Sequence, residues 1–90
     1  MPPVLRKKIE PDYSESGRKA ELEGIVLLFI VIEADGVVGN ITLQQGMGYG
    51  LDEQAAEAVR QWRFQPATKN GSPVAMKAEV EVGFRMIRDS

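Results

Sequence analysis

The chain has neither cysteine nor histidine among its 90 residues. The first absence excludes disulfides, thiolate nucleophiles and sulfur-rich metal sites. The second removes the commonest general base and the commonest metal ligand. Lysine and arginine total 11 against 13 aspartate and glutamate, and no basic run occurs, so nucleic acid is not an expected partner. Long hydrophobic stretches are absent too. The longest, Ile25 to Ile32, has eight residues, whereas a membrane helix needs roughly twenty. Met1-Pro2-Pro3 is not followed by the charged and apolar pattern of a signal peptide. Ser14, Ser16, Ser72 and Ser90 have no histidine to activate them, and no carboxylate lies in an apolar run of the kind that perturbs ionisation. No catalytic set, cofactor site or metal site is read from these residues, and the chain is not expected to be an enzyme.

What is present is an ordinary globular composition, 43% hydrophobic and 27% charged, in one small domain. A chain of this size buries about 60 to 65% of the surface that its unfolded form exposes. Ile25-Val-Leu-Leu-Phe-Ile-Val-Ile32 is apolar on both faces and rich in β-branched residues, the mark of a central strand. Residues 1–13 contain Pro2, Pro3 and Pro11 and read as an extended arm. Ser14 is placed to cap a short helix over 14–23, with Gly24 closing it. The strand then covers 24–34, and Asp35-Gly36 predicts a two-residue type I′ turn into a partner strand over 37–45. That loop sets Ala34 against Val37, Ile32 against Gly39, Ile30 against Ile41 and Leu28 against Leu43.

From Leu51 the period turns helical. Leu51, Ala55, Ala58, Val59 and Trp62 fall on one stripe, which predicts a helix over 51–63 stopped by Pro66. Gly46-Met47-Gly48-Tyr49-Gly50 precedes it. Asp52 and Glu53 would repel an anion there, so the glycines read as a backbone turn and not as a phosphate cradle. Trp62 and Phe64 read as core packing, with ligand stacking alongside Tyr49 as the alternative. After an Asn70-Gly71 turn, apolar Met76, Ala78, Val80, Val82, Phe84 and Met86 alternate with Lys77, Glu79, Glu81, Gly83 and Arg85, a strand over 75–87 with one dry face. The fold class is α+β over 14–90. A three-stranded antiparallel sheet, order 2-1-3, carries the long helix on one face, and a short N-terminal helix completes the domain. The second face of the central strand, Ile25, Leu27, Phe29 and Val31, needs cover from the arm and first helix or from a second copy of the chain.

The terminal strand invites two readings. Lys77, Glu79, Glu81 and Arg85 are the charges that commonly blunt a sheet edge. The same stretch, Lys77, Ala78, Glu79, Val80, Glu81, Val82, Gly83, Phe84 and Arg85, is also long enough to accept an extended peptide as an added strand.

Taken together, Pro11-Asp12-Tyr13, Ala20, Gly24, Asp35-Gly36, Gly50-Leu51-Asp52, Ala55, Ala58, Trp62-Arg63-Phe64-Gln65-Pro66-Ala67, Asn70-Gly71 and Val80-Glu81-Val82-Gly83-Phe84 resemble the C-terminal domain of TonB-type energy transducers. The match extends from Ile9 to Ile87. The resemblance implies a periplasmic, non-enzymatic domain whose parent is held in the inner membrane by a helix outside this fragment. It implies coupling there to a proton-driven motor complex. It also implies capture of the TonB box of outer-membrane receptors along the last strand, for uptake of siderophores, cobalamin or similar nutrients. A further contact region, Glu10, Pro11, Asp12 and Tyr13, lies in the arm. Familiar members have Gln-Pro-Arg there, and only the proline is shared. A structural domain that forms a homodimer through the same edge is the alternative.

Overall fold

The apolar run is the middle of the structure. A computed structural model describes residues 1–86, so residue 87 of the expected last strand lies outside the described residues. The fold is mixed α+β. Its elements are β1 (Val4–Lys7), α1 (Glu15–Lys19), β2 (Gly24–Ile32), β3 (Val38–Gln45), α2 (Leu51–Arg60), β4 (Arg63–Gln65), β5 (Ala67–Lys69), β6 (Ser72–Val74) and β7 (Met76–Phe84). The main sheet runs β3-β2-β7, antiparallel throughout.

On one face of β2, Val26, Leu28, Ile30 and Ile32 are at most 1% exposed. Val82 pairs with Val26 and Phe84 with Gly24, so both β7 residues join that face. The apolar stripe of α2 covers it. Leu51, Ala55 and Val59 are fully buried, and Trp62 just beyond the helix is nearly so. Asp52 closes the glycine-rich approach by accepting from the Met47 amide at 2.7 Å. The turn reading of that segment therefore has a specific anchor.

Several boundaries differ from expectation. The helix predicted over 51–63 ends at Arg60, because the chain turns at Gln61 and leaves Arg63–Gln65 extended to pair with β1. The arm is thus partly a strand, with Leu5 opposite Phe64. The helix predicted over 14–23 stops at Lys19. Ser14 caps it by accepting from the Gly17 amide at 3.0 Å. Glu21 then turns left-handed, at φ 54°, while the Leu22 amide returns to the Gly17 carbonyl. This Schellman closure turns Leu22 onto the core.

The two turns also exchange roles. Asn70 and Gly71 both have positive φ, 53° and 81°, and form the two-residue loop joining β5 to β6. At Asp35-Gly36 only Gly36 is left-handed, at φ 84°. The Gly36 amide bonds to the Glu33 carbonyl and the Glu33 amide to the Val37 carbonyl, giving a three-residue loop with a glycine bulge. Ile32 consequently pairs with Val38 instead of Gly39, and Glu33 takes the partner expected for Ala34. Ile30 with Ile41 and Leu28 with Leu43 keep the predicted register, since a further irregularity between Ile30 and Ile32 absorbs the shift. The cause is tertiary. The Phe64 amide donates to the Gly36 carbonyl at 3.0 Å, so β4 holds the turn against its own backbone.

The arm and α1 pack on the helix side. Trp62 Nε1 donates to the Ile9 carbonyl at 2.9 Å, and the Tyr13 ring meets Phe84 edge-on at 5.4 Å. Neither covers the opposite face of β2, where Ile25 is 50% and Phe29 44% exposed. That expected cover is therefore corrected.

Candidate peptide-binding edge

β7 has β2 on one flank and no strand on the other among the described residues. Its nine residues pair with β2 without a break, from Gly24 opposite Phe84 to Ile32 opposite Met76. The other border of the sheet, β3, has register irregularities at both ends. Bulges twist an edge away from new partners, and a long regular edge presents its free amides and carbonyls in line. Of the two borders, β7 is the one whose pairing is regular throughout.

The residue types along β7 divide as the alternation predicts. Val82 and Phe84 are buried toward α2, and Ala78 and Val80 are half-buried because the open flank leaves them partly bare. Lys77, Glu79, Glu81 and Gly83 are exposed on the opposite face, across from Val31, Phe29, Leu27 and Ile25. Arg85 follows, exposed, just past the end of β7. An added strand would meet apolar side chains on one face and charges on the other.

The structure separates the four arm residues. Tyr13 lies against Phe84 at the end of β7, and its hydroxyl donates to the Leu22 carbonyl at 2.8 Å. Burial, then the negative charge of Glu23, raises the Tyr13 phenol above its ordinary value, and Arg18 opposes the shift. Glu10 lines a cleft of about 590 Å³ together with Lys8, Ile25, Gly83 and Arg85. Glu10 also lines a second groove, where Pro11 and Asp12 border Gln54 and Glu57 of α2 and Gln61 just beyond it. Sequence reasoning passed over Lys8 and Glu23, whose positions depend on the fold. Lys8 sits 5.8 Å from the Trp62 ring and 3.6 Å from Glu10. Glu23 accepts from the Met86 amide at 2.8 Å and so fastens the chain just beyond β7.

The family model described as Gram-negative bacterial TonB protein C-terminal matches residues 9–86. The chain belongs to the TonB C-terminal family. It is 31% identical over 86 residues to Protein TonB of Vibrio cholerae, covering 94% of this chain and 35% of that protein. It is likewise 31% identical over 77 residues to Protein TonB of Xanthomonas campestris, covering 84% and 34%. This TonB C-terminal chain thus spans about a third of the length of the curated relatives it matches. The solution structure of the Pseudomonas aeruginosa TonB C-terminal domain superposes with a TM-score of 0.76 at 22% identity, over 98% of this chain and 90% of that one, a likeness of fold. Among the described residues no helix is long and apolar enough to cross a membrane.

Proposed function

We propose that this TonB C-terminal domain works in the periplasm as a binding and force-transmitting module, capturing the TonB box of an outer-membrane receptor as an added strand on β7. The parent protein is anchored in the inner membrane and energised there by a proton-driven motor complex, and the pull drives uptake of siderophore- or cobalamin-type nutrients. The domain holds a backbone and moves it, and performs no catalysis.

The observation that carries this reading is the uninterrupted free edge of β7, in contrast to the bulged border at β3. Each backbone hydrogen bond nets about 0.5–1.5 kcal/mol, so a five-residue added strand binds weakly and reversibly. Pulled along its own axis, the same strand loads all its bonds together. Reversible capture and mechanical grip are therefore compatible.

Hydrogen exchange followed residue by residue tests it. Along an antiparallel edge, alternate amides point away from the neighbouring strand. Adding a TonB-box peptide should slow exchange at that alternate set between Met76 and Phe84 and leave β3 unchanged. Unaltered exchange along β7 at saturating peptide would refute strand addition. A second reading, a homodimer, draws on the exposed Ile25 and Phe29. It predicts a mass that doubles with concentration in light scattering.

A further inference from the structure

Gly83 has no explanation in the isolated domain. A Cβ built there meets nothing within 4 Å, and its φ lies outside the left-handed region. Neither a close approach nor a special backbone angle calls for glycine, which in a strand costs about 0.5–1 kcal/mol relative to alanine. The neighbouring positions on that face, Lys77, Glu79 and Glu81, all carry long side chains. At Gly83 the row of side chains has a gap, and through it Ile25, the directly paired residue on β2, is half exposed. The gap opens on the cleft shared with Lys8, Glu10 and Arg85.

We infer that Gly83 and Ile25 form a side-chain socket for the captured strand, and that the preferred ligand is an extended peptide bearing an aromatic or large aliphatic residue opposite Gly83. This rests on the strand-addition reading above and adds a specificity element to it. A new strand would lie about 4.8 Å beyond β7, with its directly opposed residue on the same face as Gly83. A side chain at that position can fold across the glycine onto Ile25, the cross-strand arrangement by which aromatic residues cover edge glycines. Charge defines the flanks. On the ligand's same face, the position toward Glu81 favours a basic residue and the position toward Arg85 an acidic one, because opposite charges across strands attract and like charges repel.

The test uses the 90-residue chain, isotope-labelled, with four end-capped pentapeptides. Lys-Thr-Phe-Thr-Glu and Glu-Thr-Phe-Thr-Lys present the charges for the two strand directions, and each has a counterpart with glycine in place of phenylalanine. In amide-shift titrations one of the two phenylalanine peptides should bind about 3- to 10-fold more tightly than its glycine counterpart, with shifts centred on Gly83 and Ile25. At Gly83 a Cβ meets nothing within 4 Å and valine suits a strand, so Gly83→Val places a side chain in the gap, and the amide spectrum of the variant checks that the fold is kept. The substitution should erase the preference for phenylalanine. Ile25→Thr, at a half-exposed position, should erase the same preference with β7 untouched. If each phenylalanine peptide binds like its glycine counterpart, or if the preference survives in Gly83→Val, the socket is refuted and strand addition stands. If no peptide shifts any β7 amide, strand addition falls and the socket with it.

Discussion

Replacing Gly36 by alanine tests whether the β2–β3 turn is held by β4 or closes on its own. Two costs add. Gly36 sits at φ 84°, a region that charges a non-glycine residue about 1–2 kcal/mol. An alanine Cβ would also lie well inside contact distance of the Phe64 carbonyl oxygen, a backbone atom with no rotamer to yield. Relief requires β4 to retreat, which sacrifices the 3.0 Å bond from the Phe64 amide to the Gly36 carbonyl, about 0.5–1.5 kcal/mol. The total is about 1.5–3.5 kcal/mol, or about 6–28 °C in melting temperature for a domain of this size. Gly71→Ala is the control. It has a similar φ of 81° but nothing within 4 Å, so only the conformational cost, about 1–2 kcal/mol, applies. Urea unfolding followed by the fluorescence of Trp62, the single tryptophan and 4% exposed, reports both. Equal losses within about 0.5 kcal/mol would refute the argument that β4 packs against the turn, since the two positions would then share only their backbone geometry.

Other substitutions probe separate contacts. Asp52→Ala removes the acceptor for the Met47 amide and should lower stability by about 1–2 kcal/mol, with faster exchange at Met47 and Gly48. Trp62→Phe abolishes the bond to the Ile9 carbonyl and should cost about 1–3 kcal/mol by circular dichroism, with increased protease cleavage within residues 1–13. The raised Tyr13 phenol makes its contribution to stability complete below the free-tyrosine pKa near 10, and that contribution is lost as pH rises through the higher folded value. Urea midpoints at pH 9 to 11 should thus fall less steeply in Tyr13→Phe than in the natural chain. Ser14→Ala deletes the cap of α1 and should cost about 1 kcal/mol.

What was legible in the sequence follows from how local each cause is. The eight-residue apolar run and the alternation of Met76 to Met86 fix strand and face through side-chain transfer alone, and both strands take their places in the β3-β2-β7 sheet. The β1–β4 ribbon escaped notice because Val4-Leu5-Arg6-Lys7 has no alternating pattern, and its stabilising partner lies more than fifty residues away. Asp35-Gly36, like Asn70-Gly71, carries a strong dipeptide signal for a type I′ loop, yet the contact with Phe64 selects the bulged form. Asn70-Gly71, free of such a neighbour, takes the two-residue loop. The edge strand of the candidate site was readable from Lys77, Glu79 and Glu81. The approach of Lys8 and Glu10 was not, since it depends on where Trp62 pins Ile9.

The attachments of the first residues give the domain an ordered path for tension. A load drawn through Met1 meets first its reciprocal backbone bonds with Thr68, then the ribbon with β4, then the Trp62 latch on Ile9. Beyond these lies the Tyr13 hydroxyl at Leu22, and only past that does strain reach β2. The outer ties can peel in sequence and lengthen the connection by roughly 3.3 Å per freed residue while β2 and β7 stay paired. Such a domain gives way along its first residues before β2 and β7 part.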